Sequence, residues 1–421
     1  MQISEIIDFS SIVPERSNVY SFNPSIAKWK DNIYLCAYRS FVRYKDVESK
    51  RFDPLFDPNH PWLGGNNSTT WWRTVDGKDQ TCFFLMKIDE TEASNIKKLN
   101  DGKSIYDIKN DTVTDLTGIN GVDARLLHLT GDYFLLSYNT HFRSSLQIKN
   151  GNCESGCFII ATRLIRLNNQ GFLGIYGENI LCPQISNQTE KNWSFWVYNK
   201  NVFFSYGLSP SHEFYNVQIN FPTGQMQCSP RPANDVLSYY GNLEKVYNNN
   251  SKEKFFHISV TTPAIPFNNE RYIGVGHVKY KNQEQYIRLV RTSPLASFYN
   301  QTRTFKRHPI YDYLMFLYEF NPSTGQVTRV SDMFLPGDTE YILAFPSGLE
   351  YTPTGDVIIS YGDHDSSCKF IIIKREIVNK ILKPVAIVNN VLSPQAKDLY
   401  FFSFPQTCID RNGICQLILN L

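Results

Sequence analysis

The sequence is poor in charge and has no block of basic residues. Charged side chains make up 19% of the 421 residues, and the formal net charge at pH 7 is +2. A protein that binds nucleic acid through its phosphates needs a basic stripe. The composition therefore speaks against nucleic acid as a partner. The sequence also has no long acidic tail of the kind that serves as a charged interaction segment.

Long apolar runs are missing as well. No stretch approaches the roughly 20 apolar residues that a membrane-spanning helix needs. Residues 1–8 carry two acidic side chains and lack the basic and apolar regions of a signal peptide. We therefore expect a soluble, cytoplasmic protein that has no membrane partner.

The nine cysteines do not show the spacing of a metal site. Neither Cys153 with Cys157 nor Cys408 with Cys415 is accompanied by the spaced histidines of a zinc centre. Most of the others, such as Cys36, lie in apolar runs, where free cysteine is usually buried. The sequence thus predicts reduced thiols, no metal and no other cofactor.

What the sequence does contain is one hairpin pattern, present five times. Each copy has an apolar run, a short turn rich in Asn, Asp, Gly or Lys, and a second apolar run. The copies cover residues 23–39, 123–139, 191–207, 261–277 and 344–361. Their central runs are apolar on both faces, as in strands buried on both sides. With the strand-like runs between them, they predict an all-β fold, a five-bladed β-propeller. A pair of β-sandwiches is the alternative.

The segments between the hairpins give further expectations. We predict one domain over residues 1–421, with a long inserted loop at about 41–80 that is rich in aromatic residues. Residues 214–250 have the composition of a surface loop, and a short helix is expected near 90–99. Residues 400–404 are expected to form the strand that closes the ring.

Polar residues cluster at the ends of the hairpins. The start of the first strand and the end of the second strand of a hairpin lie at the same edge of a sheet. The five copies therefore bring these positions together around the propeller axis, and charged ends on otherwise apolar strands are typical of a pocket. The predicted site residues are Asn23, Arg39, Asp123, Arg125, His141, Lys191, Asn192, His277, Asp363, His364 and Asp365.

The chemistry of this set is uneven, because Asp123 is the carboxylate at a first-strand start while cations and donors are numerous. Ordinary glycoside hydrolysis uses two carboxylates that flank the scissile bond. One acid with several cations fits a different reaction, in which the acid protonates the leaving oxygen and the cations hold a phosphate.

The same residues also fit structural roles. Asp123 suits a strand-end salt bridge with Arg125, and His277 suits a satisfied histidine inside the channel. The run from Asp363 to Asp365 has the composition of a turn. Four tryptophans offer flat faces for sugar stacking and suit the core equally well; they are Trp71, Trp72, Trp193 and Trp196.

The motifs together resemble glycoside hydrolase family 130, which comprises mannoside phosphorylases and related β-mannosyltransferases. The matching segments are Asn-Pro-Ser-Ile at 23–26 with Tyr-Arg at 38–39, Val-Asp-Ala-Arg-Leu at 122–126, Glu-Lys-Asn-Trp at 190–193, Thr-Pro-Ala-Ile at 262–265 with Gly-His at 276–277, and Phe-Pro-Ser-Gly at 345–348 followed by Tyr-Gly-Asp-His-Asp at 361–365. They span nearly the whole chain. The usual Glu-Asp-Pro-Arg of the family is Val-Asp-Ala-Arg here.

The resemblance implies a carbohydrate-active enzyme that makes or breaks a mannoside-type bond with inversion. Asp123 takes the place of the family's single acid, and phosphate attacks from the opposite face. Groups that bind phosphate and sugar fall near Arg39, Arg125, Lys191 and His277, and around Asp365. The expected partners are a carbohydrate or sugar phosphate and inorganic phosphate. The alternative function is a non-catalytic propeller that binds glycan or protein.

Overall fold

A computed structural model describes much of the chain, and strands dominate it. The described residues are 4–8, 19–42, 80–91, 96–98, 104–107, 112–115, 119–141, 158–168, 173–180, 192–208, 212–231, 256–281, 311–336, 342–363, 367–384, 399–402, 407–409 and 415–417. Within them, no helix combines the length and the apolar character that crossing a membrane requires.

The first half of the chain contains the strands β1 (Ser4–Asp8), β2 (Val19–Lys30), β3 (Ile33–Val42), β4 (Gln80–Ile88), β5 (Ile96–Lys98), β6 (Ser104–Asp107), β7 (Thr112–Asp115), β8 (Ile119–Asn120), β9 (Val122–Thr130), β10 (Tyr133–His141), β11 (Phe158–Leu167), β12 (Leu173–Ile175), β13 (Asn179–Ile180), β14 (Ser194–Tyr198) and β15 (Asn201–Gly207). The second half contains β16 (Glu213–Asn220), β17 (Gln225–Pro230), β18 (Phe256–Val260), β19 (Ile265–Pro266), β20 (Tyr272–Lys281), β21 (Tyr311–Phe320), β22 (Val327–Val330), β23 (Met333–Pro336), β24 (Ala344–Tyr351), β25 (Val357–Asp363), β26 (Ser367–Ile373), helix α1 (Arg375–Ile381), β27 (Lys383–Pro384), β28 (Leu399–Phe402), β29 (Thr407–Ile409) and β30 (Cys415–Leu417).

Among these strands, five sheets contain four or more strands each. The first sheet has the order β2-β3-β4-β5, and the second has the order β7-β6-β12-β11-β10-β9. The third is β14-β15-β16-β17, and the fourth is built on β18-β20-β21-β22-β27 with β19, β23 and β28 attached. The fifth is β1-β26-β25-β24, and β29 pairs with β30 separately. In the first, second, third and fifth sheets, two strands that follow each other in the chain form an antiparallel hairpin at one edge or end of the sheet order. In the second sheet, β12 also pairs in parallel with β6.

Apolar clusters join the sheets in a ring. One cluster joins the first and second sheets, one the first and fifth, one the second and third, and one the third, fourth and fifth. Each sheet therefore packs on the next and the last packs on the first, as in a β-propeller. The predicted all-β propeller fold is confirmed. That the five sheets are five blades of a single domain stays a prediction.

Four of the five predicted hairpins form continuous strand pairs, and the fourth in chain order differs. Two short strands, Phe256–Val260 and Ile265–Pro266, pair with β20 where one strand was expected from Thr261 to Phe267. Pro263 between them has no N–H to donate. The N–H groups of Thr261 and Thr262 both reach the Val275 carbonyl, at 3.2 and 3.1 Å. The prediction of an unbroken strand there is wrong.

Two other local predictions are wrong. Within the predicted loop at 214–250, residues Glu213–Asn220 and Gln225–Pro230 are outer strands whose polar side chains face solvent, which gave them a loop-like composition. Ile96–Lys98, inside the predicted helix, is a strand. Within the described residues a helix forms at Arg375–Ile381, which was not predicted, and it buries three aliphatic side chains of its own.

The ring is closed by the N-terminal strand. Ser4–Asp8 pairs antiparallel with β26, from Ser4 opposite Ile373 to Asp8 opposite Lys369, and completes the fifth sheet. Leu399–Phe402 pairs with β23 in the fourth sheet instead. The predicted closure by residues 400–404 is therefore wrong. The inserted loop predicted at about 41–80 lies largely outside the described residues.

Candidate functional site

The innermost strands of three sheets are irregular at the same place, close to their starts. The pairing register shifts between Phe22 and Ser25 in the first sheet, opposite Tyr138 in the second, and between Pro346 and Gly348 in the fifth. A β-bulge turns a side chain out of the regular alternation of a strand. The repeated bulge therefore re-aims the residues that the sequence placed at the polar edge.

Three of these edge residues have a left-handed backbone. Asn23, Asp123 and Asn192 have φ values of 50°, 54° and 64°, and they occupy equivalent positions in three successive hairpins. Asn and Asp adopt this conformation more readily than other residues that carry a side chain. Such backbone strain often occurs at functional sites.

The Asp123 carboxylate lies between the first and second sheets. Its Oδ1 accepts hydrogen bonds from Asn23 Nδ2 at 2.8 Å and from Arg39 Nη1 at 3.4 Å. Its Oδ2 accepts one from Asn139 Nδ2 at 3.3 Å. The side chain is 12% exposed. The acid is thus held by groups from two sheets and keeps some access to solvent.

Arg125 connects four sheets from a buried position, with 3% of the residue exposed. Its Nε donates to the Thr261 carbonyl at 2.5 Å, Nη1 donates to the Asp123 carbonyl, and Nη2 donates to Asn192 Oδ1 at 3.4 Å. The guanidinium also lies 5.2 Å from the centre of the Phe345 ring. Burial lowers the pKa of Arg125 to about 10, while the charge of Asp123 opposes that shift. Arg125 therefore stays a cation at neutral pH.

His277 continues this network into the fourth and fifth sheets. Its Nδ1 lies 2.7 Å from Thr261 Oγ1, and its ring packs 5.3 Å from Tyr313 and 5.2 Å from Phe345. His277 is buried, with 1% of the residue exposed. Contacts thus run from Asp123 through Arg125 and Thr261 to His277, so residues predicted from separate hairpins lie in one connected group.

Asp363 ends β25 and has a partner within its own sheet. Its Oδ2 lies 2.7 Å from Lys369 Nζ, and both side chains are 11% exposed. The carboxylate is therefore part of an ion pair between two neighbouring strands.

The remaining predicted residues stay untested. Lys191, His364 and Asp365 lie outside the described residues. His141 is the last residue of β10, and its side chain also lies outside the described part of the chain. Whether any of the predicted residues binds substrate stays a prediction.

The tryptophans of the third sheet belong to the core. Trp193 and Trp196 are buried, and their rings stack on Phe204 at 4.5 Å and on Phe203 at 5.6 Å. For this pair the core interpretation is confirmed. Trp71 and Trp72 lie outside the described residues. In the described parts of the chain, no group of three or more His, Cys, Asp or Glu residues is arranged to hold a metal.

Four residues of the group were not among the predicted binding residues: Asn139, Thr261, Tyr313 and Phe345. Asn139 and Thr261 lie at hairpin ends, where the sequence places the polar edge. Tyr313 and Phe345 flank His277, and nothing in the sequence distinguishes these aromatics from core residues. Their position depends on how the fourth and fifth sheets meet.

No protein-family model matches this chain, and no curated protein matches it either. The chain is similar to the solved structure of a GDP-Man-dependent mannosyltransferase from Leishmania mexicana, at 9% identity and a TM-score of 0.44, over 93% of this chain and 94% of that one. It is also similar to a β-1,2-mannobiose phosphorylase from Listeria innocua, at 12% identity and a TM-score of 0.44, over 90% and 99% of the two chains.

A third similar structure is a mannose phosphorylase from Leishmania mexicana in complex with a phosphate ion, at 10% identity and a TM-score of 0.40, over 92% of this chain and 96% of that one. These three are the kinds of enzyme that the motif resemblance implies. At such low identity and TM-score, the similarity assigns no activity and no residue role to this chain.

Proposed function

We propose that this chain is a carbohydrate-active enzyme that makes or breaks a mannoside-type bond, using phosphate or a sugar phosphate and inverting the anomeric configuration. Asp123 is its single acid. The observation that carries the proposal is the setting of the Asp123 carboxylate. It has a left-handed backbone, partial exposure, and donors from two sheets on its two oxygens.

The described carboxylates favour one acid over two. Asp363 is the other predicted carboxylate that the structure describes, and Lys369 binds it at 2.7 Å. A hydrolase of the ordinary kind needs a second carboxylate that is free to act as base or nucleophile. The ion pair makes Asp363 poorly suited to that task.

The cations divide into two roles. Arg125 already donates to acceptors from three sheets, so it braces the site and has little capacity left for a ligand. Arg39 lies beside the proposed acid, and its Nη1 donates to Asp123 Oδ1 at 3.4 Å. Arginine binds phosphate well through paired N–H groups. We assign the phosphate to Arg39 together with the sequence-predicted Lys191.

The proposed reaction balances with the groups named. A phosphate oxygen attacks the anomeric carbon on the face opposite the leaving oxygen, and the glycosidic C–O bond breaks. The leaving oxygen takes the proton of Asp123, directly or through a sugar hydroxyl. In the synthetic direction, the Asp123 carboxylate accepts the proton of the acceptor hydroxyl while phosphate departs.

A screen with a matched pair of variants tests this proposal. The chain is incubated with mannose 1-phosphate and acceptor sugars, and phosphate release is measured; mannosides with phosphate test the reverse direction. Asp123→Asn is compared with Asp31→Asn, because both positions have positive φ and Asp31 lies in an exposed turn. We expect a loss of roughly 10²- to 10⁴-fold in the first variant and no loss in the second.

Unchanged turnover in Asp123→Asn would remove the acid from the proposal. Saccharide binding without any phosphate release, in the wild type and in Asp123→Asn alike, would instead support a non-catalytic glycan-binding propeller.

A further inference from the structure

The backbone conformation of Gly362 does not itself require a glycine. It lies within β25, opposite Phe345 on one side and Cys368 on the other, and it is not among the residues with positive φ. A Cβ atom at this position would lie 1.9 Å from Asn23 Oδ1 and 2.9 Å from Asn23 N. The absence of a side chain therefore allows the first sheet to approach closely.

The orientation of the Asn23 amide is fixed by its contact with the acid. Its Nδ2 donates to Asp123 Oδ1 at 2.8 Å, whereas the flipped amide would place two oxygens against each other. Its Oδ1 consequently points toward Gly362. Only 3% of Asn23 is exposed, so the amide has little room to move elsewhere.

The contact is one of several close contacts between β2 and the fifth sheet, which together we call the seam. A Cβ on Gly348 would lie 2.6 Å from Ile26 N, and Ser360 Oγ donates to the Pro24 carbonyl. These contacts therefore fix the position of β2 relative to the fifth sheet at several points. Gly362 is the point in the seam that lies against the Asn23 amide.

We infer that Gly362 is a positioning residue for Asp123 and that it acts through the Asn23 amide. This inference rests on the proposed function, because it assigns to Asp123 the role of the acid. The fifth sheet thereby controls the orientation of a carboxylate in the second sheet, with one side chain of the first sheet between them.

The test is a double-mutant cycle of Gly362→Ala and Asn23→Gly. Glycine suits the positive φ of residue 23 and removes the amide, which relieves the closest contact of the new methyl group. Gly177→Ala is the matched control, because a Cβ there meets nothing within 4 Å and the residue has no positive φ. Gly348→Ala serves as a second comparison, since it strains the same seam away from Asn23.

We expect Gly362→Ala to lower kcat by roughly tenfold to a hundredfold, because small displacements of a reacting group cost that much. We expect KM to change by less than about threefold, since Gly362 contacts no substrate. In the Asn23→Gly background, Gly362→Ala should add less than about threefold. Gly177→Ala should leave kcat unchanged. A loss of kcat caused by Gly348→Ala should not be relieved by Asn23→Gly.

A readout that is independent of turnover separates this inference from the proposed function. The carboxyl carbon of Asp123, labelled with ¹³C and assigned with Asp123→Asn, is titrated by NMR in each variant. Loss or displacement of the Asn23 donor should raise the titration midpoint in both Gly362→Ala and Asn23→Gly, with no further rise in the double variant. Gly177→Ala should leave the midpoint unchanged.

An unmoved midpoint in Gly362→Ala would overturn the inference, as would effects that multiply in the double variant. If the wild type turns over no sugar phosphate, the proposed function fails, and the titration still decides whether Gly362 positions Asp123. If Gly362→Ala does not fold, the double variant should recover folding. A double variant that also fails to fold would contradict the inference.

Discussion

Two carboxylate–arginine pairs in this fold have the same residue types and different geometry. Glu319 and Arg329 lie opposite each other on neighbouring strands of the fourth sheet. Glu319 Oε1 accepts from Arg329 Nε at 2.9 Å, and Arg329 Nη2 bonds to the other carboxylate oxygen. Asp123 and Arg39 come from different sheets and share one contact at 3.4 Å.

The difference separates a bidentate ion pair within one sheet from a carboxylate that contacts groups of two sheets. Burial alone would raise the pKa of Glu319, but hydrogen bonds from Arg329 and Thr328 and the charge of Arg329 bring it below its usual range. The bidentate geometry satisfies the charge within one sheet. Asp123 has amide donors, a left-handed backbone and a weaker contact with its arginine. Amide and arginine donors from two sheets thus help to hold the Asp123 carboxylate in place.

At neutral pH, the largest expected effect on stability follows from breaking the Glu319–Arg329 pair. Glu319→Gln places an amide nitrogen against Arg329, and we expect a loss of about 3 kcal/mol in the free energy of unfolding, measured by urea denaturation. Glu270→Gln, in an exposed turn, is the control and should change stability by less than about 0.5 kcal/mol. Turnover should stay unchanged in both. Equal stability of the two variants would show that the Glu319 pair is not structural.

The second expected effect is a dependence of stability on pH, and it comes from His212. His212 is buried, and because its Nδ1 meets the Gly325 carbonyl, that nitrogen donates while Nε2 accepts from Ser205 Oγ at 2.6 Å. Burial lowers the pKa of His212 from 6.5 to about 4, and the Gly325 bond opposes that shift.

The unfolded chain therefore binds this proton at a higher pH than the folded chain. The free energy of unfolding should fall by about 1.4 kcal/mol per pH unit as the pH drops from 6.5 toward 4. His212→Gln should remove this part of the slope in urea denaturation at several pH values. An unaltered slope would mean that His212 titrates in the folded chain as it does in the unfolded one.

The smallest expected effect lies at the opposite edge of the sheets from Asp123. The Tyr34 hydroxyl donates to the Tyr351 carbonyl at 2.8 Å and links the first sheet to the fifth. Tyr34→Phe should cost about 1 kcal/mol in thermal or urea unfolding. Turnover should not change, because the bond is far along the strands from the polar edge. A large loss of turnover would show that the site extends through the sheets.

The hairpins could be predicted because their signals are local. The turn Thr130-Gly-Asp and the apolar runs beside it specify a strand pair without reference to the rest of the chain. The strand that closes the ring could not be predicted in this way. Residues 4–8 and 400–404 are both short and strand-like, and only the packing of whole sheets decides which one pairs with β26.

The site divides similarly. Hairpin geometry predicted that Asp123, Arg125 and His277 would lie near one another, and contacts through Thr261 connect them. It did not predict the bulges, the left-handed backbone or the aromatic neighbours of His277. These features depend on how closely the sheets approach, as at Gly362, and a single sequence carries no signal for that distance.

The comparison of the two carboxylates also gives the most direct test of the central claim. Turnover of a sugar phosphate and the free energy of unfolding are measured side by side for Asp123→Asn and Glu319→Gln. We predict that Asp123→Asn loses roughly 10²- to 10⁴-fold in turnover while its stability stays within about 1 kcal/mol of the wild type. Glu319→Gln should keep its turnover and lose about 3 kcal/mol of stability. Full turnover in Asp123→Asn, or a loss explained by its unfolding alone, would contradict the account.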